Sequence, residues 1–261
     1  GIGKSTLAYH IINYIFKKNE EYQYDSNKLI INKENKSFRL MKNNSHPNFY
    51  LIDLLNDKKN IDVNQIREMI TYTNKSTFNN MYRFVLIDNI ENLNKNSINA
   101  LLKIIEEPNE NVFFILISDN EKYILPTLKS RCITFKINFT FDETISISNK
   151  ILEENVFDII NLDLINYYYT PGEIIDLISF SREKGINLKD HTLVSLLNLL
   201  IDNSYYKKNK IIKNLLINFI ELFFLKEYKL NNTKKSLFNF YNSFILKTHN
   251  AEKFNLDEES L

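Results

Sequence analysis

The first six residues, Gly1-Ile2-Gly3-Lys4-Ser5-Thr6, carry the second half of a G-x-x-x-x-G-K-[ST] phosphate-binding loop. Each residue type suits that chemistry. The glycines let backbone N–H groups curl around an oxyanion, and a helix beginning near Ser5 aims its positive end at the same anion. Lys4 can reach the β- and γ-phosphates of ATP, and the Ser5 hydroxyl can ligate Mg²⁺. Gly1, Gly3, Lys4, Ser5 and Thr6 are therefore candidate nucleotide contacts. A second group lies at Asp88, which closes the apolar run Phe84-Val85-Leu86-Ile87. An acid at the carboxyl end of a buried strand sits where open α/β sheets bind ligands, and where a Walker-B acid holds Mg²⁺ opposite the loop. Ser5 and Asp88 are the candidate Mg²⁺ residues. Hydrolytic P-loop ATPases of this kind usually carry Glu after that acid; here stands Asn89, which cannot accept a proton from water. Glu91, two residues on, would point elsewhere. The site reads as one that binds a nucleotide weakly and turns it over poorly.

The elements that must position these groups alternate in the first half of the chain. Residues 5–17 show a helical apolar stripe at Leu7, Ile11, Ile12 and Ile15. Residues 19–44 are rich in Lys and Asn and read as a loop or weak insert. Residues 49–52 form a short strand, Asp62 caps a helix running to Tyr72, and residues 83–88 form a strand buried on both faces. Asn94 caps a helix carrying Ile98, Leu101, Leu102 and Ile105, which Pro108 stops. Residues 112–118 are another buried strand, 125–129 a short helix and 132–137 a last strand, opened by a small buried Cys132. This alternation predicts a parallel α/β sheet. Beyond Phe141 the signals are helical, with a break at Thr170-Pro171-Gly172 and an almost all-round apolar stretch over 211–225, which predicts burial between helices or subunits.

At 261 residues the chain is long enough for more than one domain, and 44% hydrophobic residues can build a core. Lys plus Arg total 33 against 32 for Asp plus Glu, so no charge asymmetry points to nucleic acid, and the lysines are spread rather than clustered. Only five residues are Arg (Arg39, Arg67, Arg83, Arg131, Arg182). The lone Cys132 rules out a disulfide framework and a cysteine-based zinc site, and His10, His46, His191 and His249 lack metal-ligand spacing. The 211–225 stretch is interrupted by Lys213, Asn214, Asn218 and Glu221, and is too short for about 30 Å of hydrocarbon. The composition reads as soluble and cytoplasmic.

Several motifs together resemble bacterial clamp-loader proteins of the AAA+ class. They are Asn96-Ser97-Ile98-Asn99-Ala100-Leu101-Leu102-Lys103, Glu106-Glu107-Pro108, Phe113-Phe114-Ile115-Leu116, and the run from Leu125 through Ser130-Arg131-Cys132. The last is similar to an SRC motif whose Arg acts in trans on ATP held by the adjacent subunit. Alone, Arg131 would read as half of a surface salt bridge; in this context the resemblance makes it an arginine finger. A guanidinium is permanently charged and forks onto phosphate oxygens, which suits that role. Within the class the chain is similar to the DNA polymerase III delta-prime family of alphaproteobacterial type. Three departures from the hydrolysing gamma/tau motor support this: Asn89 in place of Glu, no zinc cysteines, and Glu173 in Thr170-Pro171-Gly172-Glu173 where the motor carries a sensor Arg. A carboxylate near a γ-phosphate would repel it.

The resemblance implies an AAA+ P-loop core over 1–139, a helical lid over 140–186 and an all-α collar over 187–261. It further implies a hetero-pentamer with gamma/tau and delta subunits that loads a sliding clamp on primer-template DNA, with no membrane involved. The chain would be a bacterial cytoplasmic component of DNA polymerase III without useful catalysis of its own. The loop's first glycine and its feeding strand are expected upstream of Gly1, so the sequence reads as N-terminally truncated. That strand would fall between residues 112–118 and 132–137, holding them parallel, unpaired and about 10 Å apart. Two other readings remain open: an ATP-hydrolysing AAA+ motor or remodeller, and a P-loop metabolic kinase, which the few Arg disfavour.

Overall fold

A computed structural model describes residues 1–17, 20–55, 58, 60–75, 81–118, 124–166, 168–208, 210–230 and 234–254. Residue 19 of the expected loop and the tail beyond 254 lie outside them. The chain divides into two compact units, Gly3–Ile137 and Asn138–Leu261, with Gly1–Ile2 grouped with the latter.

The first unit is an α/β layer. Three parallel strands, β1 (Phe49–Ile52), β2 (Arg83–Ile87) and β3 (Val112–Leu116), lie in that order, with Ile52 opposite Ile87 and Ile87 opposite Leu116. Every residue of β2 is buried, because alternate side chains serve opposite faces of the sheet. Phe84 and Leu86 pack with Ala8, Ile12 and Phe16 of helix α1 (Lys4–Phe16). Val85 and Ile87 pack with Ile66 and Met69 of α3 (Val63–Thr73) and Leu101 and Ile104 of α4 (Lys95–Glu106). The helix starts follow their caps. Asp62 closes a capping box with Gln65, and Asn94 accepts from the Ser97 N–H at 2.9 Å. Arg83, 2% exposed, donates to the carbonyls of Tyr72, Thr73 and Lys75 at 2.8, 3.2 and 2.7 Å. This places a buried cation at the negative end of α3.

Three expectations need correcting here. Residues 112–118 are not a buried strand throughout: β3 ends at Leu116, and of its five residues Val112 alone is buried, with Phe113 48% exposed. Within 19–44 a helix forms, α2 (Lys36–Lys42), started by Asn35 accepting from the Phe38 N–H at 2.8 Å and anchored by buried Met41. Residues 132–137 are not a strand. They follow α5 (Pro126–Lys129) with no ladder partner among the described residues, and Ile133 and Phe135 are 86% and 81% exposed. A segment without a hydrogen-bonded neighbour has no ladder to make it a strand. Cys132 is accordingly half-buried and opens no strand. Residues 132–137 do not pair with β3, whose one strand partner among the described residues is β2.

The second unit is helical: α6 (Phe141–Leu152), α7 (Val156–Ile159), α8 (Pro171–Lys184), α9 (Leu193–Asp202), α10 (Tyr205–Lys208), α11 (Lys210–Leu230) and α12 (Lys234–Phe254). One apolar cluster runs through it from Ile145 to Leu222, with Phe219 fully buried. The 211–225 stretch buries one face, through Ile212, Leu215, Leu216, Phe219 and Leu222, and leaves Ile211 and Leu225 nearly half exposed. No helix among the described residues is long and apolar enough to cross a membrane.

Candidate nucleotide site

The loop and the strand ends meet at the carboxyl edge of the sheet. Gly3 adopts φ 77°, the left-handed conformation that a glycine takes without strain, and α1 starts immediately after it. Lys4 Nζ donates to the Ser118 carbonyl at 2.5 Å, at the end of the β3 segment. The Ser5 hydroxyl donates to Asp88 Oδ2. Lys4, Ser5 and Asp88, named from separate motifs, are thus brought together. Thr6 is exposed on α1, and Gly1 is exposed and grouped with the second unit.

Asp88 is held on both oxygens, since the Asn89 N–H donates to Oδ1 at 2.9 Å. Asn89 itself takes the left-handed conformation, φ 56°, which Asn tolerates better than most residues. Its amide Nδ2 donates to Asp53 Oδ1 at 2.8 Å. Asp53 follows the last residue of β1 as Asp88 follows the last residue of β2, so the two carboxylates are neighbours on one edge. The Asp53 carbonyl accepts from Gln65 Nε2 at 3.0 Å, tying it to the start of α3. Tyr9, one turn along α1 from Ser5, completes the group. Burial first, then the charges of Asp53 and Asp88, raise its hydroxyl above the ordinary tyrosine value.

Asp53 and Tyr9 were missed from the sequence. A signal for Asp53 existed: it ends the apolar run 49–52 in the same strand-then-acid pattern that singled out Asp88. Nothing in the sequence marked Tyr9 beyond its helical spacing from Ser5.

The donor set suits a magnesium–nucleotide. A left-handed glycine, a lysine engaged by a backbone carbonyl and a hydroxyl–carboxylate pair are the groups such a ligand requires.

Arg131 lies elsewhere in this unit. Its guanidinium pairs with Glu106 at the end of α4 and donates to the Thr127 carbonyl at 2.8 Å, with about a third of the side chain exposed. It is thus already engaged in the surface ion pair that its residue type suggests by itself. In the second unit, Glu173 closes a capping box on Thr170 and accepts from Asn218 Nδ2 at 2.9 Å. Its carboxylate is committed to starting α8 and tying it to α11. His46 stacks on Phe16, and His191 lies 3.2 Å from Ser195; the side chain of His249 lies outside the described residues.

The family model described as DNA polymerase III, delta subunit, matches residues 1–140, more than half of the chain. The chain belongs to this family. Lys4, Ser5, Asp53, Asp88, Asn89 and Arg131 all fall inside the matched region, and Glu173 falls outside it. Among relatives, a Buchnera aphidicola subsp. Baizongia pistaciae protein named DNA polymerase III subunit delta′ is 30% identical over 244 residues, covering 90% of this chain and 64% of that protein. A second subunit delta′, from Buchnera aphidicola subsp. Schizaphis graminum, is 28% identical over 77% of this chain and 62% of its own length. A DNA polymerase III subunit gamma of the same subspecies is 34% identical over 55% of this chain and 41% of its own. This member of the delta-subunit family therefore spans 64% and 62% of the length of those delta′ relatives.

Proposed function

We propose that the chain is a delta-prime subunit of a bacterial DNA polymerase III clamp loader, acting in replication as an assembly partner rather than as a motor. The observation that carries the non-motor reading is Asn89. The residue after the Walker-B acid is an amide, and its side chain is committed to Asp53. Family membership and the delta′ relatives support the wider reading. The gamma relatives favour the runner-up, an ATP-hydrolysing motor, and the amide at 89 argues against it.

In this reading Gly3, Lys4, Ser5 and Asp88 would hold ATP–Mg²⁺ weakly, with Gly1 and Thr6 flanking the loop and the metal neutralising phosphate charge when bound. Lys4 would exchange the Ser118 carbonyl for phosphate oxygens, and Ser5 would release Asp88 to ligate the metal. Arg131 would leave Glu106 and fork onto the terminal phosphate bound by a neighbouring motor subunit. The division into core (1–139), lid (140–186) and collar (187–261), the hetero-pentamer with gamma/tau and delta, contact with clamp and primer-template DNA through that complex, and a cytoplasmic location all belong to the same proposal. Co-elution of the full chain with gamma/tau and delta subunits as a stoichiometric complex tests it. A chain that elutes apart from both under conditions where those two assemble with a known delta-prime subunit would count against it.

A further inference from the structure

The two carboxylates at the sheet edge are not equivalent. Asp88 has both oxygens engaged inside the protein, by the Ser5 hydroxyl and by the Asn89 N–H. Asp53 has only Oδ1 engaged, by the Leu54 N–H at 2.7 Å and the Asn89 amide at 2.8 Å. Its Oδ2 has no hydrogen-bond partner among the described residues, and its backbone is fixed by Gln65. A carboxylate with one oxygen oriented and the other open is what a general base requires: a locked rotamer and a vacant lone pair within reach of water. Asn89, useless as a base, serves here as the orienting group. Its left-handed backbone turns the amide toward Asp53 while its N–H holds Asp88.

We propose that Asp53 is the proton acceptor of this site, displaced by one strand from the position after Asp88 and oriented by the Asn89 amide. The proposal rests on the nucleotide-site reading above. In the step, a water oxygen bonds to the terminal phosphorus of a nucleoside triphosphate. The bond from that phosphorus to its bridging oxygen breaks, and the electron pair leaves on the diphosphate. The water's proton passes to Asp53 Oδ2 and from there to solvent. A carboxylate standing one strand away from the usual position of the base makes this hydrolysis slow.

The test uses the full chain with γ-labelled ATP and Mg²⁺, measuring equilibrium affinity and single-turnover hydrolysis separately, with Lys4→Ala as background. Wild type should bind and hydrolyse slowly above that background. Asp53→Asn should keep affinity within about twofold and lose hydrolysis by tenfold or more, since a positioned base contributes about 10²–10⁴. A second readout needs no nucleotide. Asn89→Glu sets two carboxylates in contact and should lower the melting temperature of the chain at pH 7, whereas Asp53→Asn with Asn89→Glu restores the carboxylate–amide pair and should recover it. Asp53→Asn hydrolysing at the wild-type rate, wild type binding ATP–Mg²⁺ without hydrolysis above background, or Asn89→Glu melting as wild type would each overturn the role of Asp53 alone. Wild type that binds no ATP–Mg²⁺ overturns the nucleotide-site reading, and the role of Asp53 with it.

Discussion

The two parts of the α/β unit for which a function is proposed are built in opposite ways. At the sheet edge, Ser5, Asp88, Asn89 and Asp53 form one hydrogen-bonded chain, half-buried and fixed by the ends of β1 and β2. Arg131 stands on a short turn after α5, exposed, with one exposed carboxylate for company. The first arrangement links residues of one unit and gains geometry from the strands. The second is a displayed cation whose pairing with Glu106 is weak enough to exchange, since exposed ion pairs contribute about 0–1 kcal/mol. Rigid strand ends suit holding a ligand, and a loosely tethered guanidinium suits reaching a phosphate that another molecule brings.

The largest effect should come from the displayed side. Arg131→Ala in a reconstituted complex is expected to leave assembly intact and to lower DNA-dependent ATPase by about tenfold or more. Single fingers contribute about 10³–10⁵ in related NTPases, and other sites in a ring dilute the loss. Arg131→Lys should not restore it, because an ammonium cannot fork. An unchanged ATPase would make Arg131 only the surface ion pair it forms here.

A smaller effect concerns the scaffold behind the loop. His46 stacks on Phe16 of α1 with ring centroids 4.5 Å apart, and its Nδ1 accepts from the Asn48 N–H at 3.1 Å. Burial pulls its pKa from 6.5 down to about 4, against a smaller opposing pull from Glu20. The unfolded chain therefore binds this proton first as pH falls. The neutral ring's contribution is complete above about pH 6.5 and is lost progressively toward pH 4. Thermal melts of wild type and His46→Gln should accordingly converge as pH drops from about 7 to 4.5. A constant gap across that range would show that His46 does not titrate with folding. Smallest of all, Glu106→Gln should change the stability of the chain by less than about 1 kcal/mol in chemical denaturation. A loss of several kcal/mol would mean that Arg131 is structural, and the contrast with the sheet edge would collapse.

Much of this contrast was legible in the residues. The strand-then-acid pattern and the Gly-Lys-Ser loop located Ser5 and Asp88 because both signals are local. The capping residues Asp62 and Asn94 marked helix starts for the same reason. Asp53 carries the same local strand-then-acid signal as Asp88, but its link to Asn89, 36 positions away, shows only in the register of β1 against β2. Residues 132–137 were misread because an apolar, β-branched run reports strand propensity and not the presence of a neighbour to pair with. Glu173 was read as a carboxylate facing phosphate, yet the Thr170 three positions before it already spelled a capping box.

The central claim is that the chain contributes an arm, not a motor, and steady-state ATP turnover by the full chain alone tests it most directly. The arrangement around Asn89 predicts a rate well below about 1 s⁻¹, the lower end of the usual enzyme range of about 1–10³ s⁻¹. Turnover within that range, abolished by Lys4→Ala, would contradict it.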